Sequence, residues 1–294
     1  MTVYVGTAGF HYKDWAGTFY PSGVRPREML ETYARAFPVV EINSTYYAIP
    51  EPARMDAMAR RTPVHFQFTV KANRLMTHEI PESGPPFDEF RRALRPLEDH
   101  GKLGCVLAQF PWGFKNTVLN RGYLEVLARG LDGVDTVVEF RNGEWERDET
   151  FSLLSGLGLG YCCVDEPRLP GLVSGRAHVT SPVGYARFHG RNAGNWWDPG
   201  RESWERYDYL YSVGELAEWL PGVDELDRKA DRVYVIFNNH YKGQAPANAR
   251  MFEEMLRGLI GDRVRNESQN PPAEEMRKRG QAPFSQPDEE RLFE

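Results

Sequence analysis

The stretch from Thr136 to Trp145, TVVEFRNGEW, begins as the interior of a buried strand and then departs from one. Val137, Val138 and Phe140 suit a sheet interior, yet Glu139 and Arg141 lie among them. An isolated buried charge costs several kcal/mol or changes its protonation state. Side chains alternate across a strand, so Val137, Glu139 and Arg141 share one face and Val138 and Phe140 the other. One apolar face, and one that turns polar toward the C-terminal end, is the pattern of a strand in a closed parallel barrel. There the apolar face meets covering helices, and the other points inward toward the mouth.

The same pattern recurs along the chain. Short apolar runs at Val3 to Thr7, Val39 to Asn43, His65 to Lys71, Leu103 to Phe110, Thr136 to Arg141, Tyr161 to Asp165, Tyr185 to Gly190 and Val233 to Asn239 make eight candidate strands. Helical spacing falls between most of them. In PREMLETYARAF, Met29, Leu30, Tyr33, Ala34 and Phe37 line one face after Pro26 at a first turn. ARMDAMARR, FDEFRRALRPLEDH, GYLEVLARGL, ETFSLLSGL and ANARMFEEMLRGLI read likewise. The link EPRLPGLVSGRAHVTSP, between the sixth and seventh strands, is rich in Pro and Gly and reads as irregular. The expectation is a single (β/α)8 TIM-type barrel over residues 1–261, followed by a polar, flexible tail over 262–294. A doubly wound open sheet is the rival. It would carry a glycine-rich phosphate loop opening its first helix, and GTAGF (Gly6 to Phe10) does not fit that spacing.

Running the alternation test on every strand places polar residues at the C-terminal ends of inward faces. Glu41 and Asn43 share a face with Val39, and Thr69 and Lys71 with Gln67. Gln109 follows Leu107, Asp165 follows Cys163, Arg187 is joined by His189, Asn238 follows Ile236, and the first strand ends in Thr7. Three carboxylates (Glu41, Glu139, Asp165) and three cations (Lys71, Arg141, Arg187) are thus expected to converge at the mouth, where barrel enzymes build their sites. A self-satisfied ion-pair plug is the structural alternative. Buried ionic networks are often no more stabilising than apolar packing, so stability alone accounts poorly for six converging charges.

Composition narrows the function classes. With 294 residues, 41% hydrophobic and 27% charged, the chain has an ordinary globular make-up. A net charge of −6 gives no broad basic surface for neutralising phosphates, so a nucleic-acid role is not favoured. No basic leader with an apolar core opens the sequence, and no run of about 18 apolar residues follows, so no membrane association is expected. Cys105, Cys162 and Cys163 lie in apolar strand-like runs and make a poor disulfide framework, which points to core packing and the cytoplasm.

The motifs GTAGFHYKDWAGTFYP, YARAFPVVEINSTYYAIP, QFTVKANRLMTH, LAQFP, VVEFRNGEW, YARFHGR and VYVIFNNHYKGQAPANA, in this order, resemble the domain of unknown function 72 (YecE-like) family. The resemblance runs from about Val3 to Ile260 and implies a TIM-barrel architecture without a settled reaction. Ala8 and Phe10 stand where that family commonly has Ser and Trp, and Trp112 where a second Pro is usual.

Chemically, Glu41 and Glu139 are expected to divide acid and base roles across the mouth, with His189 as proton shuttle. Asn43, Lys71, Gln109, Arg141, Asp165, Arg187, Asn238, Tyr46 and Trp15 are expected to bind a small polar or anionic substrate. No cofactor is expected and no metal ligands are assigned. A hydrolase is slightly favoured over an isomerase or lyase. The alternatives are a metal-dependent phosphodiester hydrolase acting on nucleic acid, using Glu41, Glu139, Asp165 and His189, and a non-catalytic binder of small anions. A Schiff base on Lys71 is disfavoured, because neighbouring carboxylates would raise the amine pKa. Neither a GxSxG elbow nor a P-loop occurs. His78 and His240 fall on mouth-side loops as weaker candidates, and Arg191 with NAGNWWDPG reads as a mobile flap.

Overall fold

The computed structural model describes residues 2–197 and 203–265. Strands β1 (Thr2–Ala8), β2 (Val39–Ile42), β3 (Gln67–Lys71), β4 (Leu103–Gln109), β5 (Thr136–Glu139), β6 (Gly160–Asp165), β7 (Val183–Phe188) and β8 (Arg232–Phe237) close into a barrel in chain order. Every neighbouring pair is parallel, including β1 with β8. This is the expected TIM-type barrel.

Helices α1 (Met29–Ala34), α2 (Pro52–Arg60), α3 (Phe87–Asp99), α4 (Val118–Gly130) and α5 (Asp148–Gly156) each follow a strand, and α8 (Gln244–Ile260) follows β8. In α3, Phe90, Ala93, Leu94 and Leu97 are buried at helical spacing, so one apolar stripe meets the sheet. No helix follows β6. Pro167 and Pro170 remove amide donors there, and Gly171 and Gly175 take φ of 82° and 79°, which side-chain-bearing residues rarely adopt. Two helices the sequence reading did not foresee, α6 (Val213–Ala217) and α7 (Leu220–Lys229), lie between β7 and β8. Pro221 in the first turn of α7 splits what would otherwise be one periodic stretch.

Val264 pairs with Val3, and the Arg265 amide donates to the Val3 carbonyl at 2.8 Å, so this segment joins the edge of β1. The rest of the expected tail, 266–294, lies outside the described residues, as do residues 198–200 at the end of the expected flap. Among the described residues no helix is long and apolar enough to cross a membrane. All three cysteines are free and buried.

On two strands the inward face is the opposite of the expected one. On β1, Thr7 faces the helix layer, where its amide donates to the Tyr33 hydroxyl of α1 at 2.8 Å. The inward residues are Tyr4, Gly6 and Ala8, with Tyr4 stacked on Tyr234 at 5.3 Å. On β6, Tyr161 packs on Phe151 of α5, and Asp165 follows it outward. The alternation itself holds. Both faces of YCCVD are nearly apolar, however, so the strand carried no signal for which face is the interior.

Gly6 fits this barrel because a Cβ there would overlap the Val39 carbonyl on β2. Gly6→Ala is therefore expected to cost about 2 kcal/mol or more in urea unfolding. Gly122→Ala, on the open face of α4 where an added Cβ meets nothing within 4 Å, should instead stabilise by about 0.5–1 kcal/mol. Equal effects at the two sites would contradict the register of β1 on β2.

Candidate functional site

The barrel interior is filled from its N-terminal end by aromatic residues. Tyr4, Tyr234 and Tyr185 follow one another across β1, β8 and β7, with ring separations of 5.3 Å and 6.0 Å. The last of these begins a polar chain: the Tyr185 hydroxyl lies 2.9 Å from that of Thr69 and donates to Glu41 Oε2 at 2.8 Å. One layer nearer the mouth on β7 stands Arg187. Its Nε and Nη2 donate to the two Glu41 oxygens at 2.9 and 2.5 Å, and its Nη1 donates to Glu139 Oε2 at 2.6 Å. Arg141 continues the series, with Nε donating to Glu139 Oε1 at 2.5 Å and Nη1 to Glu166 Oε2 at 3.1 Å.

Glu41, Arg187, Glu139, Arg141 and Glu166 thus form a ladder of alternating charge across the barrel. Burial alone would raise the Glu139 carboxyl, but Arg141 and Arg187 outweigh it and hold the group well below the usual carboxylate range. Glu166, at the end, shares only Arg141. Burial dominates there and pushes it up to about 7, and its Oε1 has no hydrogen-bond partner.

Above the ladder opens a cavity of about 450 Å³. Glu41, Arg187, Arg141, Gln109, Asn43, Asn238 and Lys71 form its polar side. Phe10, Tyr12, Tyr46, Tyr47, Tyr207 and His240 form an aromatic wall. Lys71, the last residue of β3, stands apart from the ladder. Its Nζ lies 4.5 Å from the centre of the Tyr46 ring, and among the described residues it forms no ion pair or hydrogen bond. Burial, then the Arg187 charge, bring it down to about 8 despite Glu139 and Glu41. His78, edge-on to Tyr46, falls to about 4 through burial and the nearby Lys71 charge.

Of the residues expected at the mouth, Glu41, Asn43, Tyr46, Lys71, Gln109, Arg141, Arg187 and Asn238 line this cavity. Four lie elsewhere. Glu139 is fully buried beneath it, its oxygens taken by two guanidinium groups and His189. His189, also fully buried, has Nε2 at 3.1 Å from Glu139 and 3.0 Å from Arg141, and Nδ1 at 3.0 Å from the Asn238 amide. Burial and the Arg141 charge lower it to about 3, so the ring is neutral near pH 7, and it is not among the residues that line the cavity. Asp165 lies in the helix layer, accepting from Tyr211 at 2.5 Å, Trp219 at 2.6 Å and Arg191 at 2.7 Å. Those contacts, with Arg191 also on Glu218 at 2.9 Å, anchor the start of the expected flap. Trp15 is buried behind the aromatic wall. Its indole donates to the His240 carbonyl at 2.6 Å, and it backs Tyr12, which stacks on His240 at 4.8 Å.

Glu166 is the residue that sequence reasoning missed. It sits one position beyond Asp165, and alternation turns it inward once Asp165 points out. Tyr207 was also missed, because it ends a short 3-10 turn, Ser203–Tyr207, outside the strands on which the alternation is read. Among the described residues no three His, Cys, Asp or Glu side chains converge as a metal-holding group. The four ligands considered for a divalent ion are separated by the outward turn of Asp165 and by arginines on Glu41 and Glu139.

Fold and site together define a closed TIM-type barrel with a charged, aromatic-walled mouth. The family described as "Protein of unknown function DUF72" matches residues 4–274, and the chain belongs to it. The UPF0759 protein YunF of Bacillus subtilis (strain 168) is 32% identical over 269 residues, covering 86% of this chain and 94% of that protein. A DUF72 family protein from Thermotoga maritima MSB8 is 41% identical with a TM-score of 0.81, covering 87% of this chain and 100% of the other. One from Enterococcus faecalis V583 is 28% identical with a TM-score of 0.77, covering 87% and 96%.

Removing one member of a buried ladder strands its partners. Arg187→Met should therefore cost about 3–5 kcal/mol in denaturant unfolding. Lys71→Met should do the reverse. A lysine lowered from 10.5 to about 8 resists charging in the folded state, so at pH 7 its charge opposes folding, and the variant should melt higher than wild type. The His189 ring, lowered from 6.5 to about 3, protonates first in the unfolded chain. Its contribution is present above pH 6.5 and lost as pH falls toward 3. His189→Gln should flatten the dependence of the urea midpoint on pH across that window.

Proposed function

We propose that this chain is a cofactor-free enzyme acting on a small polar substrate at the barrel mouth, with Lys71 as the group that meets the substrate and exchanges its proton. Arg141, Arg187 and Gln109 provide hydrogen-bond donors, and the two arginines positive charge, for an anionic or carbonyl oxygen, and the Tyr12, Tyr46 and Tyr207 wall takes its carbon skeleton or ring. The observation that carries this reading is the isolation of Lys71. The ladder carboxylates are held by arginines, while this amine faces the cavity without an ion-pair or hydrogen-bond partner among the described residues. An enzyme that transfers protons near neutrality is served by such an amine, because general acid–base efficiency peaks when the catalytic pKa lies near the working pH.

Hydrolysis by Glu41 and Glu139 as an acid and base pair is less well supported. Glu139 is withheld from the cavity and kept well below the range in which it could donate a proton. Isomerase or lyase chemistry, in which one amine takes and returns a proton, fits the arrangement better. Among the described residues the phosphodiesterase reading finds no donor set around which a divalent ion would assemble. A cytoplasmic setting belongs to this proposal, supported by the three free cysteines.

Thermal-shift titration with inorganic phosphate, small sugar phosphates, hydroxy acids and neutral sugars tests the reading. Anionic compounds should raise the melting temperature of wild type and do so at least tenfold less potently with Lys71→Met. Identical titrations for the two proteins would refute a substrate role for Lys71. Mass spectrometry of a bound compound recovered unchanged after long incubation, for every compound that binds, would favour a non-catalytic binder.

A further inference from the structure

We propose that Lys71 forms a covalent imine with an aldehyde or ketone substrate, so that the barrel mouth performs carbonyl chemistry through an amine rather than through a metal or a carboxylate pair. This rests on the reading of the mouth as a substrate site and names the substrate class it takes. An imine-forming lysine needs four things: a rigid mount, an open approach, no competing carboxylate, and hydrogen-bond donors near the carbonyl oxygen.

The mount is the end of β3, where Lys71 is in register with Leu107 of β4. The approach is the cavity that its side chain lines, with the Tyr46 ring 4.5 Å from Nζ as an apolar flank. Competition is removed by the ladder. Arg187 binds both oxygens of Glu41 and also Glu139, and Arg141 binds Glu139 and Glu166, so none of the three carboxylates lies within 4.0 Å of Nζ. The donors are Arg141 and Gln109, which face the same cavity. The sequence-based objection to a Schiff base was that nearby carboxylates raise the amine pKa. Here they are neutralised by guanidinium groups, and burial with the Arg187 charge leaves Lys71 at about 8. At pH 7.5 roughly a quarter of such an amine is neutral, against about one part in a thousand for an ordinary lysine.

The step balances without an outside oxidant or reductant. The Nζ lone pair forms the N–C bond as the carbonyl π pair moves to oxygen. One nitrogen proton passes to that oxygen, giving a carbinolamine. The C–O bond then breaks, and the oxygen leaves as water with the second nitrogen proton while C=N forms. A solvent proton on the nitrogen gives the iminium, which draws electrons from the adjacent carbon and acidifies its hydrogens. Hydrolysis by the reverse path returns the free amine.

Reductive trapping tests this on the full chain. Wild-type protein is incubated separately with glyoxylate, pyruvate, glycolaldehyde and dihydroxyacetone phosphate, each with sodium cyanoborohydride, and every lysine is quantified by peptide mass spectrometry. At least one probe should add its reduced mass at Lys71 ten times or more faster than at exposed Lys229 and Lys242, and the added mass at position 71 should vanish in Lys71→Arg. If Lys71 reacts no faster than those lysines with all four probes, the imine is overturned. Thermal shifts with the same probes, without reductant, separate the two levels. Lys71-dependent shifts without trapping overturn the imine and leave the substrate site standing, whereas neither shifts nor trapping overturns both.

Discussion

One guanidinium organises this barrel. Arg187 projects from β7 into the interior and joins Glu41 of β2 to Glu139 of β5, strands that lie far apart around the closed sheet. Two carboxylates and one guanidinium taken from water would each be costly alone. Together, with Tyr185 donating to Glu41 and Arg141 and His189 completing Glu139, nearly every lone pair and donor finds a partner. The aromatic layer beneath and the cavity above both depend on this alignment. Tyr185 is the hinge between layers, packing on Tyr234 and bonding to Glu41.

The ladder also decides what remains free to act. A convergence of charges at a barrel mouth invites one role for all of them, but the contacts divide the set. Glu139 and His189 are spent on holding arginines in place, while Arg187, Arg141 and Glu41 present their remaining edges to the cavity floor. Lys71 is left with its charge opposed by burial and by like charge, and answered only weakly by the face of a tyrosine ring. Strain of this kind, placed on a group that faces a cavity, is a usual mark of function. Glu166 is a second such group: its orphan oxygen and raised pKa follow from standing at the end of the ladder, where one arginine is shared between two acids.

Much of the architecture was legible in the chain. Strands β2, β3, β5 and β7 each set a charged residue against an apolar opposite face, so period-two reading fixed both the strand and its inward side. It failed on β1 and β6, whose two faces are almost equally apolar. There a single terminal polar residue, Thr7 or Asp165, is the one sign of a polar face, and hydroxyl and indole groups in the helix layer offer those residues partners instead. Trp15 misled for a related reason. An aromatic residue after a strand can face a ligand or back the residue that does, and sequence spacing is the same in both cases.

By itself the sequence determined the order and number of strands, the broken helix pattern after β6, and the inward side of the strands that send Glu41, Lys71, Arg141 and Arg187 to the mouth, because these follow from local periodicity and from proline and glycine chemistry. Only the tertiary structure decided which charge neutralises which. Pairing depends on distances between strands remote in the chain, and a displacement of a few ångströms converts a buried ion pair into an isolated amine. Glu139 and Lys71 could exchange roles on the evidence of spacing alone. Closing the barrel placed one beneath two arginines and the other in the cavity, and burial with opposite electrostatic surroundings then drove their pKa values apart.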